Sequence, residues 1–592
     1  MTKGNTPLNH KEDQAEAVYR RWKRKAVSGP VSDPDVAREL EEMEGCKERI
    51  KDAFYRNLVF GTGGLRGILG AGINRINVHT VAWASQGVVK YIGFLNRFQG
   101  KIREKEPAIA VSFDSRIKSH LFARLACQVF AANGIRAYLF PELMPTPCLS
   151  FAVRRLGCAA GVMVTASHNP KEYNGYKVYD QAGCQITIKT AEQIYGEMKK
   201  LDMFDDIQVM DFEEGLERGM IQYISREIYK DFIRAVRSQS VLGREMADKT
   251  VPIVYTPLNG TGLRPVMEVL EESEFTNITV VEEQREPNGQ FPTCPKPNPE
   301  LKEVFRLGIK CAEKHQAALV VATDPDCDRV GIAVRDQAGH YVCLTGNETG
   351  VLLLDYLCSR RTAEGTMPRR PVMAKTIVTT EMGERIAEQY RVETINVLTG
   401  FKFIGEQIGF LEERGREADF IFGFEESYGC LGGSYVRDKD GVGAVFLICE
   451  MCAYYRARGM NLVEKLEELY KTYGFWEDRL YSFQFSGREG LENMEALMDC
   501  FRKTKFSLAG MKGEYVIDYC QGINGLPKSN VLAIRFQDNC RVVIRPSGTE
   551  PKLKVYVSVW ARSKENARCL EERVAGDLEA LISSFRVDKR GE

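Results

Sequence analysis

Three carboxylates carry the clearest chemistry in this sequence. Asp324, Asp326 and Asp328 stand at a spacing of two where the apolar run Ala317 to Ala322 ends. Carboxylates crowded in this way repel one another and raise each other's pKa, and a hard divalent cation relieves the conflict. An all-oxygen donor set of this kind suits Mg2+. The alternatives are a solvated acidic turn or a calcium loop, and the glycine and later Glu of a calcium loop are missing. Arg329, next in the chain, would offset the surplus negative charge or hold a phosphate.

A second run of small and apolar residues, Ala159 to Val164, stops at Thr165-Ala166-Ser167-His168-Asn169-Pro170. This reads as a buried strand ending in a tight turn that Pro170 keeps from continuing regularly, so the Ser167 hydroxyl is presented. Taken by itself the stretch also reads as a Ser-Asn-Pro surface turn. Two further segments are suited to anions. Phe60 to Gly72 is glycine-rich around Arg66, and Arg545-Pro546-Ser547-Gly548-Thr549 puts an Arg, two hydroxyls and a Gly-freed backbone into five residues. Geometry alone accounts for the first equally well, and a plain hairpin turn for the second. Glu425 and Ser427, within Gly423 to Gly429, have the paired acceptor and donor character that sugar hydroxyls require, or they cap the next element. Thr399-Gly400-Phe401-Lys402 adds a lysine near another strand end.

Positioning these groups requires several domains. A chain of 592 residues is expected to hold roughly three to five. Highly charged helices are predicted over the first sixty residues. Strands then alternate with helices: Ala108 to Phe113, Ile135 to Phe140 and the strand before Ser167; Val251 to Tyr255, Ile278 to Val281 and Ala317 to Ala322, with a helix from Pro299 to Lys314; and Val372 to Val378, Thr394 to Leu398 and Asp419 to Phe424. Such alternation predicts sheets covered by helices on both faces, with ligands at the carboxyl ends of the strands. From about Leu491 onward, helices flank hairpins, the pattern of an α+β domain. The expected domains are 1–208, 209–338, 339–480 and 481–592.

The bulk composition excludes several classes of function. Lys plus Arg and Asp plus Glu both number 81, so nothing draws the chain to nucleic acid or anionic membrane in bulk. The 17 cysteines are scattered, and the one CxxC, Cys449 and Cys452, lies in an apolar helical run where packing explains it. Reduced thiols, a charged start and the lack of an apolar run long enough to cross a bilayer lead us to expect a cytoplasmic chain with no obligate protein partner evident.

Four of these segments, in this order, carry a resemblance: Thr165 to Pro170, Asp324 to Arg329, Gly423 to Gly429 and Arg545 to Thr549. With them the sequence resembles the α-D-phosphohexomutase superfamily from about Phe60 to its C-terminus, and within it the long bacterial α-phosphoglucomutases. The resemblance implies a four-domain α/β architecture, three mixed-sheet domains plus a C-terminal α+β domain around a central cleft. It also implies a phosphorylated Ser167 that, with Asp324, Asp326 and Asp328, holds Mg2+, and a bound glucose 1,6-bisphosphate that links glucose 1-phosphate and glucose 6-phosphate. Arg66, His168 and Lys177 would lie near the transferring group, with Lys177 or His168 as general base. Glu425 and Ser427 would read the sugar hydroxyls, and Arg545, Ser547, Gly548 and Thr549 would clamp the other phosphate. Arg329, Thr399, Gly400 and Lys402 complete the expected substrate contacts. No His follows Ser427, unlike the dual-specificity mannose/glucose enzymes. Phosphopentomutase or phosphomannomutase activity is the alternative within the superfamily, and an inactive sugar-phosphate sensor the alternative of another class.

Overall fold

A computed structural model describes residues 7–585 except 28, 30, 62, 99–105, 486, 504–506, 524, 538 and 548–551. The charged N-terminal region forms three helices, Pro7–Lys25, Pro34–Glu42 and Lys47–Phe54. The second starts where Asp33 accepts a hydrogen bond from the Asp35 N–H, with Pro34 in the first turn. Their buried side chains, Tyr19, Trp22, Leu40, Ile50 and Phe54 among them, form a small core of their own.

The next three units share one plan. In the first, Ala160–Val164 lies parallel to Ala108–Phe113, which lies parallel to Arg136–Leu139. The chain then turns through residues 165–172 and returns antiparallel as Tyr173–Asp180, with Gly64–Ile68 at the edge. In the second, Leu319–Thr323 is parallel to Ile253–Thr256, and the chain returns through 324–329 as the antiparallel strand Val330–Arg335. In the third, Phe420–Phe424 is parallel to Val372–Thr376, and after 425–429 the chain returns as Cys430–Leu431. All residues of Ala160–Val164, Leu319–Thr323 and Phe420–Phe424 are buried. Each large apolar side chain removed from water is worth about 1.5–3 kcal/mol, so these strands fix their ends firmly. Each of the three presented loops is thus the turn of a hairpin at the carboxyl end of a buried strand.

The last sheet is antiparallel throughout, in the order Phe475–Gln484, Lys552–Ala561, Arg541–Pro546, Leu532–Phe536, Met511–Asp518, Ser507–Leu508. Leu497 and Phe501 of the helix Gly487–Lys503, with Val574, Leu578 and Ile582 of Lys564–Ser584, pack on Ile534, Ile544 and Val555. Alternation sends Arg541, Arg545, Lys554 and Tyr556 to the opposite face.

The edges of the sheets do not coincide with the junctions expected at 208, 338 and 480. Ile221–Tyr223 pairs with the first sheet, Tyr341–Leu344 with the second, and Phe475–Gln484 opens the last. Ile221–Tyr223 and Phe475–Gln484 are half-exposed and carry charged or polar residues that break the apolar pattern, and Tyr341–Leu344 is a short strand of which only Leu344 is buried. The helix expected from Pro299 to Lys314 is a 3-10 turn, Lys302–Phe305, followed by Arg306–His315. No helix among the described residues is long and apolar enough to cross a membrane.

Candidate active site

Ser167 stands in the left-handed region at φ 52°. Such backbone is uncommon for a residue other than glycine, and here the surrounding hydrogen bonds hold it. The Ser167 N–H donates to Thr165 Oγ1 at 2.8 Å, and Thr165 Oγ1 donates to Asp114 Oδ2 at 2.6 Å. Arg116 binds the loop from below. Its Nη1 donates to the carbonyls of Pro170 and Tyr173, both at 2.9 Å, and its Nη2 to those of Ser167 and Asn169. Its charge is balanced by Asp114, 3.4 Å away, and both side chains are wholly buried. The glycines around Arg66 are used for packing. A Cβ on Gly64 would meet the Tyr176 carbonyl oxygen at 1.9 Å, and one on Gly72 the Ala53 carbonyl oxygen at 2.5 Å. The anion-cradle reading of that run gives way to the geometric one, because the strand Tyr173–Asp180 and the N-terminal helices fill the space. Arg66 itself reaches the loop, where its Nη1 donates to Asn169 Oδ1 at 3.0 Å.

The Ser167 hydroxyl donates to Asp324 Oδ2 at 2.7 Å and lies 3.1 Å from His168 Nδ1. Asp324 Oδ1 accepts the N–H groups of Asp328 and Arg329 at 3.1 and 3.0 Å. Asp326 Oδ2 accepts from Thr146 Oγ1 at 2.9 Å and from Lys177 Nζ at 2.7 Å. Asp328 Oδ2 faces Lys177 at 3.4 Å and Lys439 at 3.2 Å. One oxygen from each of the three carboxylates falls within 4.8 Å of the others. Oδ1 of Asp326 and Oδ1 of Asp328 are buried without a hydrogen-bond partner. Leaving buried carboxylate oxygens bare is costly, and a divalent cation satisfies both, so this donor set fits Mg2+.

The charges divide accordingly. Burial, then Asp326 and Asp328, push Asp324 well above the usual carboxylate range. Burial also opposes ionisation of Asp326, but Lys177 pulls it down, and Lys439 with Lys177 does the same for Asp328. Burial would lower Lys177, yet Asp326 and Asp328 carry it above the ordinary lysine value. His168 is pushed well below the usual histidine value, by burial first and then by Arg329 and Arg66. An uncharged imidazole therefore touches the Ser167 oxygen, while Lys177 keeps its proton.

Across a cleft of about 750 Å3 lie the other expected residues. Glu425 Oε1 accepts the Gly400 N–H at 3.1 Å. Its carboxyl is pushed up to about 7, by burial first, with Glu426 adding to the effect and Lys439 opposing it. Burial draws Lys402 down to about 8. The Thr399 hydroxyl is buried with no hydrogen-bond partner. Arg66, Ser167, His168, Lys177, Asp328, Arg329, Thr399, Gly400, Lys402, Glu425, Ser427 and Arg545 all line this one space. Arg329 pairs with Glu300, which lines the same space. Asp324 and Asp326 lie behind Ser167 and Lys177. The Ser547 N–H closes its hairpin on the Lys552 carbonyl at 2.7 Å, next to Arg545 and Pro546 of the cleft lining, and Gly548 and Thr549 fall outside the described residues.

Sequence reasoning missed Asp114, Arg116, Thr146 and Lys439. Lys439 belongs to Arg437-Asp438-Lys439-Asp440, a run that threads between the first three units. The Arg437 N–H donates to Ser150 Oγ at 3.0 Å, Tyr179 Oη donates to Asp438 Oδ2 at 2.8 Å, and the Gly441 N–H reaches the Cys327 carbonyl at 3.1 Å. Four consecutive charges next to the apolar helix Gly441–Arg456 were the available signal.

Family models match the chain in four consecutive pieces. These are phosphoglucomutase/phosphomannomutase alpha/beta/alpha domain I over 57–204, domain II over 230–339, domain III over 345–473 and the C-terminal domain over 501–576. A phosphoglucomutase of Staphylococcus saprophyticus is 36% identical over 525 residues, 87% of this chain and 92% of the relative. One from Staphylococcus aureus is 34% identical over 567 residues, 94% and 97% of the two chains. Among solved structures, the pp63/parafusin phosphoglucomutase of Paramecium superposes with a TM-score of 0.66 at 18% identity, covering 90% of this chain and 95% of that one. With all four domains matched in order and relatives at this identity over nearly the full length, the chain belongs to the phosphoglucomutase/phosphomannomutase family.

Proposed function

We propose that the chain interconverts α-D-glucose 1-phosphate and glucose 6-phosphate through a phosphorylated Ser167 and a bound glucose 1,6-bisphosphate. The observation that carries this reading is the Ser167 hydroxyl, 2.7 Å from one carboxylate of a buried three-carboxylate cluster and open to a cleft that also holds Glu425 and Arg545. The phosphoglucomutase relatives support glucose phosphate as the substrate. In the forward step a sugar hydroxyl attacks the phosphoserine. The new P–O bond to the sugar forms as the P–O bond to Ser167 Oγ breaks, the sugar proton passes to a base, and Ser167 regains a proton. When bound, Mg2+ would be held by Asp324, Asp326, Asp328 and the Ser167 phosphoryl group, and would neutralise charge at the transferring group.

His168, 3.1 Å from Ser167 Oγ, and Lys177, held against Asp326, are the two groups from which the base at the transferring group is drawn. Arg66 and Arg329 supply positive charge around the reacting phosphate. Glu425, Ser427 and Thr399 face the sugar, with Gly400 and Lys402 beside them, and Arg545 with Ser547, Gly548 and Thr549 holds the second phosphate. The enzyme acts in the cytoplasm. The test is turnover of glucose 1-phosphate, mannose 1-phosphate and ribose 1-phosphate by the wild type and by Ser167→Ala. Glucose 1-phosphate is expected to be the best substrate, with nearly all turnover lost in the variant. Equal or better use of either rival sugar overturns the substrate assignment.

A further inference from the structure

Asp326 is gripped by a residue from a different domain. Thr146 opens the helix Thr146–Leu156, which packs on the first sheet, and it is wholly buried. Its hydroxyl donates to Asp326 Oδ2 at 2.9 Å, and its N–H donates to the Asp326 carbonyl at 2.9 Å. Main chain and side chain of Asp326 are thus held by one residue 180 positions away.

The second donor on Oδ2, Lys177, is shared with Asp328 at 3.4 Å and cannot alone set the plane of the Asp326 carboxylate. With both donors on Oδ2, the bare Oδ1 is turned away from Thr146 and left for a cation. We infer that Thr146 is a positioning residue for the cation site: its hydroxyl fixes the Asp326 carboxylate so that Oδ1 faces the ion, and the site is complete only when the first two domains are docked. This rests on the reading of the three carboxylates as a Mg2+ site. Removing the hydrogen-bond partner of a metal ligand costs about 10–100-fold in metal affinity.

The experiment is calorimetric titration of the full chain with Mg2+, repeated with Mn2+ followed by its electron paramagnetic resonance signal. The proteins are the wild type, Thr146→Val, Thr146→Ala and Thr146→Ser. Val removes the hydroxyl at nearly constant volume, and Ala does so without adding bulk should Val fail to fold. The dissociation constant is expected to rise about 10–100-fold in the Val and Ala variants and to stay close to wild type in Ser. A residue that only packs would leave metal affinity unchanged in all three. Wild-type affinity in Val or Ala, or a loss in Ser as large as in Val, overturns the inference. If the wild type itself takes up neither ion, it is the cation reading that falls.

Discussion

Glu425→Gln is expected to make the metal-free protein more stable at alkaline pH while impairing sugar binding. The carboxyl is moved from 4.5 to about 7, chiefly by burial. The folded state therefore holds this proton more tightly than the unfolded chain, and stability falls as pH rises from the lower value to the higher. At about 1.36 kcal/mol for each unit, ionising Glu425 costs the folded protein about 3 kcal/mol once the pH passes the window. Glutamine never ionises, and its carbonyl oxygen can still accept the Gly400 N–H that Glu425 takes at 3.1 Å.

The assay is hydrogen exchange at the amides of Phe420–Phe424, the buried strand that ends at Glu425. It reads stability locally in a chain of several domains. Variant and wild type are compared at the same pH, so the intrinsic exchange rate cancels. Protection is expected to be equal near about pH 4.5 and higher in the variant near about pH 8, by up to about 3 kcal/mol. Equal protection at both values, or a less protected variant at the alkaline one, would refute the claim that an ionised Glu425 is stored at a cost.

Two other substitutions probe the framework under Ser167. Arg116→Met strips donors from four loop carbonyls and leaves Asp114 buried without its partner. A loss of about 3–5 kcal/mol or more is expected in chemical denaturation, with activity abolished. Gly175→Ala places a methyl 2.3 Å from the Thr165 carbonyl oxygen and 2.9 Å from that of Leu65, directly opposite Arg66 in the sheet. Both clashes are with backbone, so the strands must part. Activity should fall much further than for Gly196→Ala, whose methyl meets nothing within 4 Å.

What the sequence disclosed follows from locality. The strands before Ser167, Asp324 and Glu425 are apolar runs that stop at polar residues, and all three end at or one residue beyond the ends of the runs. The return strands Tyr173–Asp180, Val330–Arg335 and Cys430–Leu431 were not read, because each begins directly after a polar turn and the first carries Asn174 and Lys177 in its interior. Phe475–Gln484 escaped because its exposed residues hide the alternation. Within the site, the three Asp stood out by residue type and spacing, while Ser167 and Glu425 were singled out by the family resemblance. Arg116, Thr146 and Lys439 were not, since their importance lies in partners 51 to 180 positions away or in a neighbouring unit. The glycines near Arg66 suggested a phosphate cradle, whereas a missing side chain signals close approach without saying to what.

The proposed reaction depends on Ser167 carrying the phosphoryl group. The direct measurement is the mass of the peptide containing Ser167, taken from the purified protein before and after incubation with glucose 1-phosphate labelled in its phosphate. One phosphoryl group is expected on Ser167, exchanging into sugar bisphosphate and replaced by the label, with none in Ser167→Ala. A wild type that turns over glucose 1-phosphate with no phosphate ever on Ser167, or a Ser167→Ala variant that keeps full turnover, would contradict it.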